Sequence, residues 1–268
     1  TATASALLAT TMVVRSASAE PGPRDQFLLP PQGGTWATFD AYTVGVQAQL
    51  EHRHIIRSED YAAIIPRIGS IASLGFGELG AHLDLRLLFF SAGVSGGMRR
   101  IWRGYTFPSS VSGTRALRLE RDQQKTQDAF FAPFGEIRSR VGLPLHDNVL
   151  GVFGASLRFD DTPDNTFDWA VTTMRDGGFM GRFDATLFLR SPHVGAIGPT
   201  FRVLEHERRG RFVSDLAFGF VGGRRMGLFE NDLLLLNVLT QPTSQEFGFH
   251  ILRAPLFTLL VYRVGFQL

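Results

Sequence analysis

The stretch Glu78 to Arg86 sets Glu78, Gly80, His82, Asp84 and Arg86 at alternate positions, so in a strand they share one face. A histidine beside a carboxylate is the pair that general-base chemistry needs, and a membrane-embedded hydrolase could use His82 and Asp84 in that way. No nucleophile or second carboxylate pair accompanies them. Charges of both signs that satisfy one another account for the same residues, so the structural reading is preferred and the chain is read as non-enzymatic. Glu51-His52-Arg53-His54 places two histidines on one face, but no third ligand lies near in sequence. A solvated cluster is expected there, with no metal and no cofactor. Gly222-Gly223-Arg224-Arg225 is glycine-rich and basic but lacks the strand–GxxxxGK–helix context of a nucleotide loop.

A second constellation is cationic. Glu136, Arg138 and Arg140 alternate, and with Arg158, Arg182, Arg202 and Arg263 they could line a cationic channel attractive to anions. The competing reading pairs them with Asp84, Asp184 and Asp215. Overall charge does not decide between the two: 27 Lys+Arg oppose 25 Asp+Glu, a net +2. No basic stripe dominates, which excludes a nucleic-acid partner. Lys125 is the single lysine, and there is no cysteine, hence no disulfide framework, zinc–thiolate site or thiol nucleophile.

The elements that must hold these residues are strands. Val46, Ala48 and Leu50, grouped with Tyr42 and Val44, oppose Gln47, Gln49 and Glu51; Leu79, Ala81, Leu83 and Leu85 oppose the His82 face. The pattern recurs at Val149–Phe159, Phe179–Arg190, Phe212–Phe220 and Leu260–Leu268, in segments of about ten residues. The polar face carries both charge signs beside glycine, which suits the interior of a closed barrel, while the apolar face suits lipid. A soluble lipocalin-like barrel inverts this arrangement, and period two alone does not separate inside from outside.

Connections help. Residues 143–148, 191–194 and 222–225 read as short turns at one end; 52–59, 105–128, 160–165, 205–210 and 240–245 read as loops at the other. Short turns at one end and long loops at the other are the asymmetry of transmembrane barrels. The expected fold is an all-β, antiparallel up-and-down transmembrane barrel of about ten strands. Two long segments, 61–88 and 167–190, contain possible turns at 73–76 and 175–178, so twelve is the second choice. Thr114 to Gln127 is the one helix-like stretch, in the longest loop.

At the start, Ala2 to Val14 is uncharged and apolar, and Ala17-Ser18-Ala19 fits a signal-peptidase site. The expected organisation is a truncated signal peptide over 1–19, an extended periplasmic segment rich in Pro and Gly over 20–35, and the barrel over 36–268.

The end of the chain carries a resemblance. Val261-Tyr262-Arg263-Val264-Gly265-Phe266-Gln267-Leu268 sets Tyr262, Val264, Phe266 and Leu268 on one face, and resembles the closing strand of small bacterial outer-membrane β-barrel proteins. It departs from their pattern in ending on Leu268 instead of Phe or Trp, and in its 24 Phe against 4 Tyr and 3 Trp. The resemblance implies a Gram-negative cell-envelope protein in the outer membrane. It also implies contact with outer-membrane lipids and lipopolysaccharide, insertion by the barrel-assembly machinery through that terminal strand, and possible partners among other envelope proteins. The function expected first is a structural or interaction component of a motility, export or surface assembly. A porin-like channel for small solutes or anions is the alternative, favoured if the strands number twelve or more, and an outer-membrane hydrolase is the third.

Overall fold

The structure, a computed structural model, describes residues 33–42, 45–59, 62–73, 76–101, 130–163, 166–168, 173–191, 195–208, 210–229, 231–242, 249–251 and 254–268. The expected signal peptide, most of the 20–35 segment and the helix-like 114–127 stretch lie outside these residues.

The described strands are β1 (Gly34–Tyr42), β2 (Gly45–Arg53), β3 (Ile56–Glu59), β4 (Ala62–Ser73), β5 (Phe76–Leu87), β6 (Phe90–Ile101), β7 (Phe130–His146) and β8 (Val149–Asp160), followed by β9 (Thr166–Asp168), β10 (Thr173–Arg175), β11 (Gly178–Ser191), β12 (Gly195–Arg208), β13 (Arg211–Arg224), β14 (Asp232–Thr240), β15 (Phe249–Ile251) and β16 (Ala254–Gln267). Twelve of them form one antiparallel ring in the order β1-β2-β4-β5-β6-β7-β8-β11-β12-β13-β14-β16, and β16 pairs back onto β1 from Trp36↔Gln267 to Tyr42↔Val261. Closure leaves no free edge, which a sheet in lipid requires. β3 and β15 extend this sheet beside β4 and β16, and β9–β10 is a separate hairpin.

The count of ten is therefore corrected to twelve. The 61–88 segment divides between Ser73 and Phe76 into two ring strands, whereas the division between Arg175 and Gly178 separates β11 from the β9–β10 hairpin, which lies off the ring. The connections fall on two ends. The turns 88–89 and 147–148 join β5 to β6 and β7 to β8 at the end that holds Gly34 and Leu268, the terminal end, where β11 also leads to β12 and β13 to β14. β1 leads to β2, β4 to β5, β6 to β7, β8 to β11, β12 to β13 and β14 to β16 at the other, the loop end. Residues 52–59, read as a loop-end connection, belong instead to β2, β3 and the terminal end, because β3 continues along β4. Tyr42 likewise ends β1 and does not share a face with Val46.

Alternation sets the two faces as expected. Leu83, Leu85, Phe183, Leu187 and Phe218 are all exposed on the outside, whereas Asp84, Arg182, Asp184 and Arg263 pair within the lumen. This is the reverse of a soluble barrel, where such leucines would fill a dry core. Met180 on Leu204 is the buried apolar cluster among the described residues. In lipid the outer belt leaves water, worth about 1.5–3 kcal/mol for each large side chain. Val264 departs from the expected exposure at 9%. It sits opposite Asp232, whose carboxylate gathers the backbone N–H groups of Met226, Gly227, Leu228 and Phe229, and Phe229 reaches the Phe266 ring at 6.2 Å.

Candidate functional site

The lumen is the concave surface that this fold presents, and its side chains come from alternate residues of all twelve strands. Three groups of charges line it among the described residues.

The first lies on β2, β4, β5 and β7. Asp84 accepts from Arg67 Nε at 2.7 Å and from Arg138 Nη2 at 2.7 Å, while Glu51 accepts from Arg67 Nη1 at 3.0 Å and pairs with Arg53. His82 is placed on the same face, but its buried Nδ1 has no partner among the described residues. The carboxylate of Asp84 is occupied by two guanidinium groups, so it neither orients nor activates His82. The residues weighed for a hydrolase are neighbours that do not form a dyad.

The second group stands nearer the loop end. Glu78 accepts from Arg99 and Arg158, each at 3.1 Å; Arg158 also donates to Asp160 at 2.8 Å and lies 3.8 Å from Glu136; Arg175 reaches Asp160 as well. Phe134 lies beneath it, 4.3 Å from the Arg158 guanidinium. Room for that ring comes from glycine: in the register row Gly69↔Gly80↔Gly97↔Phe134, a Cβ on Gly80 would stand 3.2 Å from Phe134 Cζ. This group is tightly packed, with side-chain exposures of 7% for Arg99, 1% for Arg175 and 0% for Asp160.

The third group lies on the opposite wall and at the seam. Asp184 pairs with Arg182 at 2.5 Å and with Arg202 at 3.0 Å. Asp215 faces His206 Nε2 at 3.1 Å, both buried. Arg263 joins Asp40 across the β1–β16 seam through two bonds, 2.7 and 2.8 Å long. Here and around Arg138 the arginine side chains are accessible. Side-chain exposure is 43% for Arg263, 34% for Arg53, and 33% for Arg138 and Arg182, and Arg140 is exposed on the same inner face. The carboxylates lie deeper: Asp40 and Glu51 expose 2% and 5%. At these two pairs the carboxylate ends close to the wall and the arginine reaches past it, so the pair turns its cation toward the axis.

The twelve expected lumen residues fall on the inner face. Arg86 stands on the β5 row with His82 and Asp84, toward the terminal end. Of the terminal-strand residues, Phe266 and Leu268 are exposed, Phe266 meets Phe39 at 6.4 Å, and Tyr262 donates to Asp232 at 3.0 Å. His52 faces outward and bonds Thr35 through Nδ1 at 2.9 Å. Gly223 lies under the side chains of Leu233 and Leu235. Sequence reasoning missed Asp40, Arg67, Arg99, Asp160 and Arg175. Arg67 sits in a stretch with isoleucine at both parities, and Arg175 ends a strand too short to show alternation.

No family model and no curated protein matches the sequence. Among solved structures, the chain is similar to the COG4313 outer membrane channel from Pseudomonas putida F1, with TM-score 0.53 and 9% identity, over 92% of this chain and 99% of that one. It also aligns with the NanC porin (TM-score 0.38, 8% identity, 87% of this chain and 98% of that one) and the KdgM porin (TM-score 0.36, 8% identity, 86% and 95%). Its closed twelve-stranded ring and outward apolar belt give the chain the fold of a transmembrane β-barrel, shared with that channel.

Proposed function

We propose that this barrel is a channel for small solutes with a preference for anions. The observation that carries the reading is the accessibility of the lumen arginines, with Arg263, Arg53, Arg138 and Arg182 exposed by about a third or more although they face inward. Inward-facing guanidinium groups that stay accessible support a hollow lumen. At the Arg263–Asp40 and Arg53–Glu51 pairs the carboxylate lies behind the cation, so the positive end faces that space. The similarity to a protein described as an outer membrane channel, over nearly the whole of both chains, supports the same reading. A non-conducting anchor, the role expected first, needs a lumen filled by its own side chains, and these exposures weigh against it.

The test is electrical. Protein folded in detergent and added to planar bilayers in KCl should give discrete, ohmic current steps that are absent after heat denaturation. A reversal potential measured in a KCl gradient should lie on the chloride side. Bilayers that accept the folded protein, shown by protease protection of the barrel, yet stay silent would remove the proposal.

A further inference from the structure

One sector of the lumen is mainly apolar. On β13, β14 and β16 the inward residues include Val221, Leu233, Leu235, Leu259 and Val261, with Asn237 between Val221 and Leu259 and Arg263 at the edge beside Leu233. Their facing is fixed by register: Leu233 lies opposite Arg263 and Leu235 opposite Val261, and Arg263 points inward to Asp40. A membrane barrel needs apolar residues outside, not inside, and the run Leu233-Leu234-Leu235-Leu236 is apolar on both faces. Gly223 keeps this wall flat. A Cβ there would lie 3.0 Å from Leu235 Cδ2 and 3.6 Å from Leu233 Cδ1, so both leucines lie along the wall over the glycine.

Strand order sets what this wall faces. In a ring of twelve, the strand six places round is directly across, so β16 faces β7 and β13 faces β5. β7 carries Arg138 and Arg140 inward, and β5 carries Arg86. Arg140 and Val261 lie at similar distances from the terminal end, one before the 147–148 turn and the other before Gln267. Arg140 is exposed, with no carboxylate partner seen among the described residues. An apolar wall therefore faces a cation across a hollow lumen.

Resting on the channel reading, we infer that the lumen takes an amphipathic anion: a carboxylate on an aliphatic body, with its tail on the wall of Leu233 and Leu235 flanked by Val221 and Leu259, and its charge toward Arg140. A chloride-like ion needs no such wall, and a sugar acid would leave it unused. Full burial of a methylene is worth about fourfold in affinity, and contact with a single wall about half the free energy, or roughly twofold per methylene.

The experiment compares sodium butyrate, sodium octanoate and octyltrimethylammonium chloride as blockers of the chloride current in planar bilayers. Octanoate should block at a concentration on the order of tenfold below butyrate, and the cation with the same tail should not block there. Arg140→Gln should weaken octanoate block several-fold. Leu235→Asn should bring the octanoate-to-butyrate ratio close to one, which also controls for partition into lipid. Equal block by butyrate and octanoate in the unsubstituted protein, or equal block by the cation, would overturn the inference while leaving the channel intact. If no current is seen, binding of radiolabelled octanoate and butyrate to the protein in nanodiscs decides. Tail-dependent binding lost in Leu235→Asn keeps the amphiphile site and removes the channel; binding that ignores tail length removes both.

Discussion

Asp84 is where the charge pattern of the lumen can be tested one atom at a time. It holds Arg67 and Arg138, each at 2.7 Å, from strands on either side of its own. Asp84→Asn keeps the volume and one acceptor oxygen but removes the negative charge. The fold should survive, because a partly hydrated charge-assisted pair is worth about 1.5–3 kcal/mol and the two guanidinium groups can turn toward lumen water. The reversal potential in a KCl gradient should then move further toward chloride. An unchanged potential would mean that ions do not pass this level of the barrel. Asp84 was legible in sequence because β5 alternates strictly, as were Glu136, Arg138 and Arg158. Its partner Arg67 was not, because Ile64, Ile65, Ile68 and Ile71 give β4 apolar residues on both faces. Asp40 was hidden by position, since its role depends on the last strand of the chain folding back beside the first.

Strands and turns show the same division. Six strands could be read from period two alone, and β14 could not, since Leu233 to Leu236 carries no alternation to read. Its boundary is set by Asp232, whose carboxylate accepts the backbone N–H groups of Met226, Gly227, Leu228 and Phe229, and the hydroxyl of Tyr262. This ties the 225–231 connection to β16 and seats Phe229 against Phe266. Asp232→Ala should strand several of those donors and destabilise the terminal end by about 2 kcal/mol. The temperature at which the barrel loses its compact migration on unboiled gels should fall, and a value equal to that of the unsubstituted protein would show that water replaces the carboxylate at no cost. The closing strand offers a matched pair. Phe266 faces outward between Phe39 and Phe229, whereas Gln267 faces inward and donates to the Gly33 carbonyl at 3.1 Å. Phe266→Asp and Gln267→Asp add the same charge one residue apart. The first should lower the folded fraction in outer-membrane preparations more than the second, through the lost aromatic contacts and a cost in lipid of up to about 1 kcal/mol near the interface. A larger loss for Gln267→Asp would make the lumen bond to Gly33 the stronger determinant of closure.

For the whole molecule, the strand number decided the functional reading. The ten-strand expectation implied a lumen filled by paired charges; the ring closes with twelve strands, a wider circumference for the same pairs to line. The charge sum was legible and close to neutral, but the depth of each charge was not, because it depends on side-chain length measured inward from a closed wall. Asp40 and Glu51 lie at the wall with 2% and 5% exposure, and Arg263 and Arg53 extend over them with 43% and 34%. On the proposed channel reading, an ion passing these two pairs meets a positive surface backed by a negative one, a dipolar wall whose field fades with distance and with salt. At 0.1 M the screening length is about 10 Å, comparable to the reach of the arginines into the lumen, and at 1 M it is about 3 Å. Anion preference should be greatest at low salt and decline toward equal permeability of chloride and potassium as KCl rises to 1 M, while conductance itself rises. Reversal potentials taken at a fixed tenfold gradient, with the dilute side stepped upward, measure this directly. A preference that stays constant with salt would point to selection by contact at the packed group around Arg158 and Phe134 instead of by the field of the exposed arginines. A cation preference at low salt would mean that the carboxylates, not the arginines, face the path of the ions.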